Sequence, residues 1–215
     1  MPTLHFIDLS QHHPNKQLVD VATGAAMYVR TDATSVTEDA IVGPVCYCRP
    51  GTLVVESFFG ASAKQSQVRV TKLRPSNVHG PNRRYRRAFG VIPVLFLRLR
   101  TGGTEMDIWG SGAEVRDYLY VDGFTPLCLA LLHQRAAPGE SPGLHSSAGI
   151  ATPRNKICGI AEVVTGLTLQ RRYLVAATVN ECSIVLDSAH ARRPLGWRAE
   201  IDLVARLAGS WADHD

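Results

Sequence analysis

Apolar and polar positions along the chain follow two rhythms. Gln17–Ala22 (Gln-Leu-Val-Asp-Val-Ala) predicts a short strand, and Val68–Leu73 alternates as a strand does. Thr52–Ala63 carries Leu53, Val54, Val55, Phe58 and Phe59 at near-helical spacing and predicts an amphipathic helix. Ile92–Arg100 predicts a helix with Pro93 in its first turn, where proline is tolerated. Met106–Ile108 predicts another short strand, Asp122–Gln134 a leucine-rich helix, and Lys156–Thr165 a helix ending at Gly166. Ser188 reads as the N-cap of a helix through Arg193 that Pro194-Leu195-Gly196 ends, and Ile201–Trp211 as a last amphipathic helix. Thr31–Pro44 reads as a polar surface loop, Asn82–Gly90 as a basic loop and Ala136–Gly143 as a linker. No repeat or low-complexity tract interrupts this order. Strands alternating with helices predict an α/β fold on a parallel sheet.

Composition narrows the class. The 215 residues suffice for one or two domains, and 45% hydrophobic with 20% charged residues is ordinary globular composition. The N-terminal stretch holds Asp8 and no apolar core segment, so it does not read as a secretory signal. The longest apolar runs, Val91–Leu97 and Leu127–Leu132, fall far short of the ~20 residues a membrane span needs. The expectation is a cytoplasmic protein with no membrane partner. Five cysteines, Cys46, Cys48, Cys128, Cys158 and Cys182, are an odd number and read as free thiols. No further ligands stand near Cys46 and Cys48 at zinc spacing, so no metal is expected. The net charge of +4 rests on 19 Arg against 4 Lys. Arg83, Arg84, Arg86 and Arg87 form one dense cluster, readable as an anion site or as a solvated loop. Without aromatic interleaving beyond Tyr85 it makes a weak nucleic-acid binder, and no nucleic-acid partner is expected.

Three strings carry more specific information: Leu73-Arg74-Pro75-Ser76-Asn77-Val78-His79-Gly80-Pro81, the run from Ile108-Trp109-Gly110-Ser111-Gly112 through Arg116-Asp117-Tyr118 to Asp122, and the run from Val185 to Trp197. In that order they resemble the extended short-chain dehydrogenase/reductase family, on its branch of NAD-dependent nucleotide-sugar epimerases and dehydratases of the UDP-glucose 4-epimerase kind. The resemblance runs from about Leu18 to Trp211. It implies a partial Rossmann-type parallel sheet with a smaller α/β substrate-binding lobe. Residues 1–80 are expected to form the C-terminal part of an NAD-binding domain, and 81–215 a nucleotide-sugar lobe interleaved with it. The family's glycine-rich turn, which holds the dinucleotide pyrophosphate, has no counterpart here. Met1–Lys16 contains no glycine, and the first is Gly24. The sequence therefore reads as a truncated family member that begins partway through the Rossmann domain, with NAD implied as cofactor but poorly provided for.

The resemblance also assigns residues. A family Ser/Thr ends the strand matching Gln17–Ala22; the strict register gives Gly24, with Thr23 one residue away as the candidate. A Tyr-x-x-x-Lys pair should open the next helix. The lysine matters because a free tyrosine, pKa near 10, is roughly one part in a thousand ionised at pH 7. Here one register gives Cys48 with Thr52 and the other Tyr47 with Gly51, so neither supplies the lysine. Tyr47 is the catalytic and cofactor candidate, with an ordinary half-buried tyrosine as the alternative, and Pro75 joins it on the cofactor side. On the substrate side the resemblance implies Asn77 at the sugar or diphosphate and Val91 in the segment covering the nucleotide. It puts Ile108 and Trp109 against the base and Arg116 on the diphosphate; a salt bridge from Arg116 to Asp117 or Glu114 is the alternative. His79 replaces the usual tyrosine, and a second family arginine expected near Ala177 is missing. Helix 52–63 matches one that packs against its twin, so a homodimer or self-association is expected. Two readings stay open: an epimerase or dehydratase acting on a nucleotide-sugar, a UDP-sugar first among them, and a non-catalytic family member serving as a binding or interaction protein.

Overall fold

Position 70 and position 73 lie on opposite faces of one strand, and both are buried. That single fact organises the sheet. The structure, a computed structural model, describes residues 2–13, 15–24, 27–29, 35–43, 50–81, 90–175, 183–199 and 202–212. Strand β1 (Gln17–Val21) pairs in parallel with β2 (Arg69–Pro75), and β2 pairs in parallel with β7 (Gly143–Ser146), giving the order β1-β2-β7. Central strands of parallel sheets are covered on both sides and read as continuous burial rather than alternation. Val70 packs with Phe59 and Ala63 of helix α2 (Pro50–Ser66), and Ile7 of α1 (Pro2–Gln11) closes that side. Leu73 faces the other way, against Leu127 and Leu131 of α4 (Val121–His133) and Ala191 of α6 (Ala189–Leu195).

The second body of apolar packing gathers α3 (Val91–Arg100), α5 (Arg154–Thr165) and α7 (Leu203–Ala212). Ile157, Cys158, Ile160 and Ala161 supply the buried stripe of α5 at helical spacing. Gly166 then ends that helix in the left-handed conformation, φ 70°, which glycine adopts without a Cβ penalty. Three small strand pairings complete the frame. They are β3 (Asn77–His79) with β6 (Tyr118–Tyr120), β4 (Glu105–Trp109) with β9 (Gln170–Leu174), both parallel, and β5 (Val115–Arg116) antiparallel to β8 (Thr152–Pro153). The molecule is thus α/β with parallel sheets and Rossmann-type layering.

Several expectations change. Residues 2–11 are helical although no element was predicted there. The 31–44 segment is not simply a surface loop: Val36 is 3% exposed, packs with Met27 and Tyr28 and bridges Leu186, while Val42 bridges Tyr28. The 68–73 strand runs two residues further, through Pro75. Linker 136–143 passes directly into β7. Ser188 precedes α6 as predicted, but Asp187 Oδ1 takes the Ala189 N–H at 2.8 Å, and the Ser188 hydroxyl bonds Ser147 instead. Residues 82–89, with the arginine cluster, and Cys46, Cys48, Cys182 and Ala177 lie outside the described residues.

Candidate functional site

All three strands of the β1-β2-β7 sheet end at the same edge, the edge where open α/β sheets take their ligands. Beyond β1 the backbone stays pinned to β2: Ala22 N–H bonds Leu73 O at 2.9 Å and Gly24 N–H bonds Pro75 O at 2.8 Å. That approach leaves no room at position 24. A Cβ there would stand 2.6 Å from Pro75 O and 2.4 Å from Leu186 Cδ1. The position that strict register assigns to a serine or threonine is therefore closed to any side chain. Thr23 next to it is half-buried, and its hydroxyl has no partner among the described residues. Tyr47 lies outside them. In the first turn of α2, where a lysine was sought, stand an exposed Gly51 and a half-buried Thr52.

Under this edge lies a polar hub that the sequence reading did not identify. Arg74 is 7% exposed. Its Nε and one terminal nitrogen hold both oxygens of Glu56, at 3.1 and 2.7 Å, and the other nitrogen donates to the Tyr28 hydroxyl at 2.8 Å. Burial works against the Arg74 cation, but the bonds to Glu56 and Tyr28 prevail and its pKa is raised. Burial pushes the Tyr28 phenol up to about 12, against the pull of Arg74. His145, at the end of β7, is fully buried. Its Nδ1 faces Asp187 O at 3.0 Å, so Nδ1 carries the proton and Nε2 accepts from the Tyr28 hydroxyl. Burial pulls the His145 pKa below its ordinary value, with Glu38 opposing. Glu38 accepts the His145 N–H at 2.8 Å and meets the more exposed His190 at 3.4 Å.

A second buried group joins the sheet edge to Asn77 and Arg116. Asp117, 1% exposed, accepts the Ser76 hydroxyl at 2.9 Å, the Ala148 N–H at 3.0 Å and the Ile150 N–H at 2.9 Å. Burial raises its pKa against those hydrogen bonds. Its backbone carbonyl receives both the N–H of Asn77, at 3.1 Å, and that residue's side-chain amide, at 2.8 Å. Asn77 is exposed, yet its amide nitrogen is tied down.

Arg116 lies one residue before Asp117, half-buried in β5, with one guanidinium nitrogen on Val115 O at 2.9 Å. The structure thus brings Pro75, Asn77 and the Arg116 backbone onto one continuous edge. Trp109 stands nearly half exposed at the end of β4, where its carbonyl receives Arg154 at 3.1 Å. Gly112, φ 74°, holds the turn between Trp109 and Arg116. A Cβ there would meet the Asn155 side chain at 2.3 Å, and Asn155 clasps the turn through Ser111 O and Gly112 O, both at 3.0 Å. Val91 opens α3, half-buried against the core. Ile108 is fully buried with Leu95, Phe96 and Ile157. It has no exposed surface for a base and instead backs the strand from which Trp109 projects.

The matched family model is that of the NAD dependent epimerase/dehydratase family, over residues 3–142. The chain belongs to that family. A UDP-glucose 4-epimerase of Mycolicibacterium smegmatis is 22% identical over 193 residues, 90% of this chain and 60% of the relative. A dTDP-4-dehydro-6-deoxyglucose reductase of Escherichia coli is 23% identical over 188 residues, 87% and 58% respectively. The chain therefore spans about three-fifths of the length of the curated relatives it matches. Among solved structures, the UDP-glucose 4-epimerase of Thermotoga maritima with UDP-glucose superposes with a TM-score of 0.89 at 23% identity, covering 98% of this chain and 67% of that one. A UDP-glucuronic acid 4-epimerase from Bacillus cereus, in complex with UDP-glucuronic acid and NAD, gives 0.84 at 18% identity, covering 98% and 65%. These likenesses establish the fold; the family assignment stands on the matched model.

Proposed function

We propose that this chain recognises a nucleotide-sugar, a UDP-sugar first among them, along the edge from Pro75 through Asn77 to Arg116. The observation that carries the reading is Asp117. It spends its carboxylate on Ser76, Ala148 and Ile150 and its carbonyl on Asn77, and so fixes Asn77 beside the strand that bears Arg116. In this reading Arg116 grips the diphosphate, a task its planar fork suits. Asn77 meets the sugar or diphosphate, and Val91 and Trp109 cover the nucleotide with Ile108 behind them. Relatives named for UDP- and dTDP-sugars support this class of ligand.

Catalysis is a separate matter. In the family NAD supplies the hydride chemistry, and here Thr23, Tyr47 and Pro75 are its candidate neighbours. The residues present do not fit that role well. The serine slot is closed at Gly24, and the two possible lysine slots hold Gly51 and Thr52. We therefore propose a nucleotide-sugar-binding family member with at most trace epimerisation by this chain. Val54 and Phe58, both about half exposed on α2, support a homodimer contact on that helix.

Titration with UDP-glucose and with uridine tests the reading. Saturable binding of UDP-glucose with no binding of uridine supports a diphosphate-dependent site; equal binding of both, or of neither, contradicts it. In a coupled assay with added NAD, turnover between UDP-glucose and UDP-galactose should stay far below one per second, a modest rate for an enzyme. A rate near that value would show that the proton-transfer groups are competent.

A further inference from the structure

A cavity of about 280 Å³ opens between the β3–β6 pair and helices α5 and α7. One wall is aromatic. His79 meets Tyr120 edge-on with ring centroids 5.4 Å apart and Tyr118 at 6.5 Å. The facing wall is apolar: Ile160 from α5, Leu203 and Val204 from α7. The mouth is charged. Lys156 is exposed in the first turn of α5 and makes no ion pair among the described residues. Arg206 lies over the Tyr120 ring at 4.8 Å and stands 3.6 Å from the Asp122 carboxylate. The carboxylate at the mouth, Asp202, takes the Ala205 N–H of its own helix at 3.0 Å. Among the lining residues two cations, Lys156 and Arg206, stand against that one carboxylate. Thr23, Pro75, Asn77, Val91, Trp109 and Arg116 do not line this cavity.

We propose that this cavity is a second binding site, for a small aromatic carboxylate. Its volume lies just below the roughly 300–1,000 Å³ usual for ligand cavities, which suits a single ring. Tyrosine and histidine rings against an aliphatic wall favour a planar apolar body, since aromatic rings pair in offset or edge-to-face geometry. Lys156 and Arg206 would hold the carboxylate where the ring reaches solvent. The proposal is independent of the nucleotide-sugar reading, because it uses none of the same side chains.

The test uses benzoate as probe, benzyl alcohol as the same ring without charge, and UDP as competitor, read from amide NMR shifts. Benzoate should saturate, with shifts grouped at Tyr118, Tyr120 and Ile160, and UDP should not displace it. Lys156→Ala should weaken benzoate about tenfold, equivalent to ~1.4 kcal/mol, and leave benzyl alcohol unchanged. Val204→Trp, a substitution at a half-exposed position, should plug the cavity and abolish binding of both. Linear, unsaturable shifts, displacement by UDP, or a folded Val204→Trp variant that binds as well as wild type would overturn the proposal. If Val204→Trp fails to fold, the contrast between the two probes in Lys156→Ala decides.

Discussion

Position 24 illustrates how one atom sets a chemical limit. Adding even a Cβ would force Pro75 O or the Leu186 side chain aside, and Pro75 O belongs to the strand itself. Gly24→Ser, which would restore the family hydroxyl, should lower stability by about 1–3 kcal/mol, as overpacking does. An unchanged urea midpoint would show that the loop yields. Arg74 sets a larger limit. Arg74→Met would leave the Glu56 carboxylate buried without its partner and should cost roughly 3–5 kcal/mol in the same measurement. His145 adds a pH dependence. Its folded pKa lies below its ordinary 6.5, so the unfolded chain binds the proton more readily. The contribution is complete above 6.5 and shrinks as the pH falls through that value toward the folded pKa. Stability followed from pH ~7.5 to ~5.5 should therefore fall for wild type and fall less for His145→Gln. Parallel curves would assign the acid sensitivity to other groups.

Elements with a period were legible in the sequence. Helices α2, α4, α5 and α7 were found within a few residues of their ends because each shows the core an apolar stripe at helical spacing. Strands β3, β5, β6 and β8 are two or three residues long, too short to display any period, and β9 is Gln-Arg-Arg-Tyr-Leu, held to β4 in part by Arg172 on Asp107 at 2.7 and 3.1 Å rather than by an apolar alternation. Asn77, Trp109 and Arg116 could be named as candidates because their strings are local. Asp117 was visible only as a neighbour of Arg116, because its partners stand 41, 31 and 33 residues away. The Tyr28–Arg74–His145 hub spans even more chain, with Tyr28 and His145 separated by 117 positions. Buried polar contacts of that range leave no spacing to read. Asp117→Ala tests the clasp at this scale. It would strand two backbone N–H groups and a hydroxyl, at about 1–3 kcal/mol for each group left buried. Loss of stability together with line broadening at Ser76–Asn77 and Ala148–Ile150 is the expected result, and a fully stable variant would remove the clasp from the account.

At the scale of the molecule, the parallel sheet brings its strand ends to one edge, and the small β3–β6 and β5–β8 pairings carry Asn77 and Arg116 to it. Two exposed features bear on assembly: β1 is an outer strand of its sheet with Val21 about half exposed, and α2 shows Val54 and Phe58. Light scattering at tens of micromolar should show a dimer that Phe58→Glu weakens; a wild-type monomer would contradict that assignment. The central claim is that Arg116 holds a nucleotide diphosphate at this edge. Calorimetric titration of UDP into wild type, Arg116→Ala and Asn77→Ala tests it most directly. Wild type should bind, and Arg116→Ala should lose about 1.5–3 kcal/mol, roughly ten- to a hundredfold in affinity. Asn77→Ala should lose about 1 kcal/mol or less. Equal affinity in wild type and Arg116→Ala, or no wild-type binding up to millimolar UDP, would contradict the account.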